Sequence, residues 1–242
     1  MSEFKLPTET VELPSKGLLY PENSELSKGT VEIKYMTAKE EDILTNQSYI
    51  KDGVVLDKLL KSVVISEINF DDLLIGDKNA LMIATRILGY GSKYNFEYNG
   101  EQEEIDLSLL ENKKLEEELF QNRTNEFSYT LPFSKNEITF KILTHKDEKM
   151  ITREIEGLKK INKNNVPELT TRLKYIITSI EGKRDTKDIR NFIDNYLLAK
   201  DSRSLREYIR QIQPDVDLTF FPNDSENRSS IPISVNFFWP DA

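Results

Sequence analysis

IKYMTAKEEDIL (residues 33–44) and FKILTHKDEKMI (residues 140–151) are two versions of one strand-to-helix junction, and the fold follows from how they are read. They align without a gap at an offset of 107 residues (144 − 37), which matches Lys34, Thr37, Lys39 and Glu41 with Lys141, Thr144, Lys146 and Glu148. Upstream of the first junction, Val31, Ile33 and Tyr35 alternate as on one face of a strand, which ends at Thr37. There the threonine hydroxyl can accept from the N–H three residues on while Glu40 reaches back to the cap backbone, the reciprocal pairing that starts a helix. Thr144 and Asp147 repeat the arrangement with a shorter carboxylate.

The repetition extends outward. ELPS (12–15) precedes the first of these strands and TLPF (130–133) the second. Downstream, DKNALMIATRI (77–87) and DSRSLREYIRQ (201–211) share Asp77/Asp201, Leu81/Leu205 and Arg86/Arg210 at an offset of 124 (201 − 77). The increase of 17 (124 − 107) implies extra helical sequence in the second copy. After each pair comes an expected hairpin, KYNFEYNGEQEEIDLSL with Asn-Gly at its tip and DLTFFPNDSENRSSIPISVNFFW with a polar tip. We read an internal duplication of strand, helices and hairpin; chance similarity of short amphipathic pieces is the competing explanation.

Three further segments carry helical stripes. GVVLDKLLKSVV places Leu56, Leu59, Leu60, Val63 and Val64 on one face. PELTTRLKYIITSIEG places Leu169, Leu173, Ile176, Ile177 and Ile180 together, and TKDIRNFIDNYLLAK does so with Ile189, Phe192, Ile193, Tyr196 and Leu197. The charged stretch around LLENKKLEEELFQNRTNE reads as a connecting helix, with Glu116, Glu117 and Glu118 as solvated surface. The expected fold is α+β with two related lobes, each a strand–helix–β-hairpin unit. It comprises an N-terminal lobe over 1–110, a connecting helix over 111–126 and a C-terminal lobe with additional helices over 127–242.

Composition narrows the chemistry. The 242 residues include 38% apolar side chains, enough for a packed interior. No apolar run approaches a membrane helix and the N-terminus lacks a leader pattern, so a soluble, unexported chain is expected. The absence of cysteine excludes disulfides, thiolate catalysis and Cys-based zinc sites. A formal charge of −9, with cations scattered among carboxylates, argues against nucleic acid as a partner. The local cations of EGKRDTKDIR read as a solvated helix start.

No catalytic constellation emerges. His145, the only histidine, follows the Thr144 cap and is expected to face solvent, with no nucleophile elbow elsewhere to complete a triad. One histidine and no thiolates leave only oxygen ligands, without the spacing of a calcium loop, so no metal or cofactor site is assigned. Gly89 and Gly91 follow a helical stripe and precede a strand, the reverse of a dinucleotide fingerprint, and are read as helix cap and turn. Arg86 and Arg210 are expected to pair with local carboxylates. At the C-terminus, alternation turns Phe238 inward, leaving Phe237 and Trp239 as candidate partner-binding residues.

ELPSKGLLYPE, MTAKEEDIL, LLIGDKNALMIATRILGYGSKY and the terminal NFFWP together resemble the T4-like bacteriophage baseplate protein family, whose members act in assembly of the tail baseplate hub. The resemblance covers most of the chain and is densest over 12–94 and 189–240. It implies a non-enzymatic hub assembly protein or chaperone, with no catalytic residues and no cofactor. Its partners would be phage baseplate hub or tail-tip proteins, met in the host cytoplasm during virion assembly. The alternative is a permanent component of the virion baseplate. Some relatives carry cysteine pairs in both hairpins in the manner of zinc ribbons; here EYNGEQEE and FPNDSENRSS stand at those turns, so no metal role carries over.

Overall fold

The two junctions form as expected and set the frame of an α+β fold. The computed structural model describes residues 6–161, 166–222 and 227–238. In the first half, β1 (Thr8–Glu12) pairs antiparallel with β2 (Thr30–Lys34), which leads into α1 (Ala38–Leu44). In the second, β5 (Phe127–Thr130) pairs with β6 (Glu137–Phe140), which leads into α5 (His145–Ile161). Glu40 Oε2 accepts from the Thr37 N–H at 2.9 Å and from its hydroxyl at 2.6 Å, while Oε1 takes the Lys34 ammonium at 2.7 Å and the Ser62 hydroxyl at 2.6 Å. Asp147 repeats this with Thr144 at 3.1 Å and Lys141 at 2.7 Å. The repeated lysine is thus the counter-ion of the capping carboxylate.

The correspondence continues past α2 (Gln47–Lys51) into α3 (Val55–Val63) and its counterpart α6 (Glu168–Ile176). Each helix delivers the chain to the open side of the preceding strand. Val64 bridges Ile33, and Ile177 pairs with Phe140 as the start of β7 (Ile177–Ile180). PELTTRLKYIITSIEG is therefore not one helix. It ends at Ile176 because the β-branched run after it adds a third strand to the β5–β6 pair, where its side chains pack better. The second half then inserts α7 (Thr186–Asn195) before α8 (Ala199–Ile212), the counterpart of α4 (Ile75–Tyr90). α4 runs through Gly89, so the helix cap is Gly91, at φ 83°.

Hairpins follow both long helices. β3 (Lys93–Tyr98) and β4 (Glu101–Asp106) turn through Asn99 and Gly100, both at positive φ, the conformation that Asn-Gly favours. β8 (Thr219–Phe220) and β9 (Ser229–Ser230) are much shorter. The hairpins meet each other: Phe220 sits edge-on to Phe96 and Tyr98 at 5.1 and 5.4 Å. One contiguous apolar cluster runs through both halves.

Residues 111–126 do not form the expected connecting helix. Asn112 bridges Val216, Lys113 N–H donates to the Asp215 carbonyl and Asp217 N–H to that of Glu111, so residues 111–113 run extended beside the second half. Only Glu117–Phe120 makes a short 3-10 turn, which places Phe120 in the core, edge-on to Phe127. Tertiary pairing outweighs helix propensity here. Among the described residues no helix is long and apolar enough to cross a membrane.

The Glu40 carboxylate has no exposed surface, and burial alone would raise its pKa. Its bonds from Lys34, Ser62 and Thr37 outweigh that and lower it from 4.5 to about 2. A lowered folded-state pKa contributes stability that is present above the unfolded value and lost as pH falls through the folded one. Glu40→Gln is therefore expected to reduce stability at pH 7 by up to about 3 kcal/mol, at ~1.4 kcal/mol per pKa unit. Urea unfolding across a pH series checks this: the gap from wild type narrows between pH 4.5 and about 2.

Candidate functional site

The first turn of each long helix carries a carboxylate that holds a Leu-Pro turn. Asp77 accepts from the Ser15 N–H and hydroxyl at 2.9 and 2.7 Å and from the Tyr20 hydroxyl at 2.5 Å. Asp201 accepts from the Phe133 and Ser134 N–H groups at 2.8 and 3.0 Å. Neither aspartate has exposed surface, yet their acidities diverge. Burial pushes Asp77 up despite its three donors, whereas at Asp201 the bonds from Phe133 and Ser134 outweigh burial and pull it down. The cause is the cover. In the first half the chain from Lys16 to Gly29 packs Leu19, Tyr20 and Leu26 over the turn, and Tyr20 also accepts the Leu74 N–H at 2.9 Å. In the second half only Leu131–Asn136 link the strands.

The corner left open exposes apolar surface. Phe133, at the place of Ser15, is 54% exposed, and Leu198, which precedes α8, is 50% exposed. The Lys200 ammonium lies 5.2 Å from the centre of the Phe133 ring, an exposed cation–π contact. Lys200, Arg203, Arg206 and Arg210 are all exposed along α8, so the cations are not scattered as composition suggested. The signals missed in the sequence were the Phe for Ser change within the repeated turn, and arginines at i, i+3 and i+7.

The predicted partner-binding residue Phe237 falls elsewhere. Phe237 is fully buried, edge-on to Tyr94 at 4.9 Å and to Phe238 at 5.3 Å, so it belongs to the core. Strand alternation misassigned it because Val235–Phe238 is a 3-10 turn that buries consecutive rings. Trp239 lies outside the described residues. The Phe237 carbonyl accepts from Arg86 Nε at 2.8 Å, and Arg86 also donates to the carbonyls of Gly91 and Lys93 at 2.7 and 3.1 Å. Arg86 is fully buried and takes carbonyls where a carboxylate was expected, with Tyr90 and Tyr94 rings 5.4 and 6.0 Å from the guanidinium. Carbonyl dipoles at a helix end and aromatic faces share the positive charge.

His145 also departs from expectation. It is buried in the seam between the halves, its Nε2 3.1 Å from Asp57 and its Nδ1 3.3 Å from the Lys78 ammonium. This pattern makes Nε2–H the donor to Asp57 and Nδ1 an acceptor from Lys78. Burial would raise the Asp57 pKa, but the bonds from His145 and Lys78 hold it well below the usual carboxylate range. Beside the cluster, the His145 N–H donates to the Leu73 carbonyl and Leu74 bridges Thr144. The helix start that solvent was expected to cover is covered by the first half instead. A cleft of about 250 Å³ lies along the same seam, where Lys141 and Arg172 already hold Asp147 and Glu148. Among the described residues no group of three or more acidic or histidine side chains gathers in a metal-binding arrangement.

Comparison of the chain with protein-family models, with curated proteins and with solved structures gives no match in any of the three.

Arg86→Met leaves three carbonyls without their donor and is expected to cost about 3 kcal/mol or more in urea unfolding, with Arg86→Lys recovering little because one ammonium cannot span three separated acceptors. Tyr20→Phe removes a donor to Asp77 and the acceptor for the Leu74 N–H, for a loss of about 1–3 kcal/mol at unchanged denaturant slope.

Proposed function

We propose that this chain acts by stoichiometric protein binding in assembly of a phage tail baseplate hub, holding hub or tail-tip subunits in an assembly-competent state. The family resemblance of its motifs suggests the role. The observation that carries the binding reading is the contrast between the two turns: the first is covered by the chain's own Leu19, Tyr20 and Leu26, while the second leaves Phe133 and Leu198 half-exposed. Apolar side chains held on rigid backbone, here by Asp201, suit a protein contact because little ordering entropy is lost on docking. The second reading, a permanent component of the virion baseplate, uses the same surface and differs only in the fate of the complex.

Co-expression with the hub subunits of the same phage, followed by size exclusion, tests the proposal. A complex is expected, and Phe133→Ser, which writes the first half's residue into the second, is expected to weaken it roughly tenfold or more. No complex, together with unchanged hub assembly without this chain, removes the proposal. Quantitative mass spectrometry of purified particles separates the two readings: a chaperone is absent or far below stoichiometry, a baseplate component is not.

A further inference from the structure

Among the described residues, the outer face of α8 is exposed, whereas the same face of α4 is largely covered. At an offset of 124, Arg203, Arg206 and Arg210 correspond to Asn79, Met82 and Arg86. Of those three α4 positions, two bond to the chain after α8 and the third is buried. Asn79 donates to Asp215 Oδ1 at 3.0 Å, Met82 is buried, and Arg86 holds the Phe237 carbonyl. Along α8 the equivalent side chains are exposed.

They also form a stripe. At 100° and 1.5 Å per residue, the three arginines fall within about 60° of one another and span about 10 Å of helix. Arg203 pairs with Glu207 at 3.2 Å. Arg206 uses Nε on the Ser202 carbonyl of its own helix at 3.3 Å. No ion pair or hydrogen bond engages Arg210 among the described residues. A shallow depression of about 280 Å³ lies among Arg203, Arg206, Glu207 and Arg210. In a chain of net charge −9, this is a local field of the opposite sign.

We infer that the arginine face of α8 binds a carboxylate-bearing segment of a partner protein, in the way the chain at Pro214 and Asp215 lies on α4. Charge complementarity selects acidic side chains, and planar guanidinium groups bind carboxylates through two parallel bonds. The twin face supplies the precedent for the occupant's chemistry, since Asp215 itself presents a carboxylate to Asn79 of α4. The acidic remainder of the molecule disfavours a nucleic-acid backbone. This inference deepens the binding role proposed above and rests on it.

Fluorescence anisotropy of a short labelled polyglutamate peptide, titrated with the intact protein, tests the inference, with polyglutamine and oligothymidylate of the same length as controls. Polyglutamate is expected to bind, more weakly as salt rises. Arg206→Gln/Arg210→Gln is expected to weaken it roughly fivefold or more at unchanged melting temperature, and Glu207→Gln, which frees Arg203, to tighten it. If the double variant does not fold, Glu207→Gln alone decides. Absence of polyglutamate binding, or binding indifferent to the variants, overturns the inference. So does tighter binding of oligothymidylate, which would assign the face to nucleic acid. Self-association lost in the double variant would assign it to a second copy, overturning the choice of a foreign partner. Failure of hub subunits to co-purify leaves the titration unaffected and removes only the assembly role. Full hub binding by a double variant that has lost polyglutamate removes only the arginine face.

Discussion

A buried carboxylate at the start of a long helix, accepting from the backbone of a Leu-Pro turn, is the contact on which both halves depend. Asp77 and Asp201 tie the turn joining the first two strands of each half to its later long helix, elements about 65 residues apart in sequence. Without that tie, each sheet of two or three short strands would have little to fix its position against the helix. The turn N–H groups would also lose their acceptors in a place water does not reach. The capping carboxylates Glu40 and Asp147 perform a local version of the same task. Each gathers the cap backbone, the cap hydroxyl and a strand lysine at one point, and so sets the angle between strand and helix.

The halves are joined by features that break the repeat. Arg86 draws the C-terminal turn onto the first half through the Phe237 carbonyl, whereas Arg210, its sequence counterpart, is exposed. His145, Asp57 and Lys78 close the seam from the other side, next to the backbone pairing of Leu74 with Thr144. Gly76 stands in this seam because a Cβ there would come within 1.9 Å of the Pro214 carbonyl. Two halves with matching element order become one body by using corresponding positions unequally. The first half's turn and helix face are covered from within the chain, and the second half's are left to solvent. That asymmetry is why apolar and cationic side chains are exposed at Phe133, at Leu198 and along α8.

Much of this was legible in the sequence because it rests on local patterning. The paired junctions, both Leu-Pro turns, the recurrent aspartates and the Asn-Gly hairpin appear as residues at fixed spacing, and short-range hydrogen bonds enforce the caps and the hairpin among them. The α+β class followed from that pattern. Beyond His145 and Arg86, three further readings failed against the folded context. Residues 111–126 favour helix by composition but open with 111–113 paired to residues 215–217; Ile177–Ile180 continue a helical stripe but complete a sheet; and Phe237 alternates outward on paper but turns inward in a 3-10 turn.

The sequence by itself determined the repeat, its caps and the order of its elements, because those depend on neighbours within a few residues. Only the tertiary structure decided which copy of each surface is covered, and hence that His145 and Phe237 are interior while Phe133 and the α8 arginines are exterior. Burial is a property of what lies across the gap, and nothing in the spacing of one segment records which other segment will reach it.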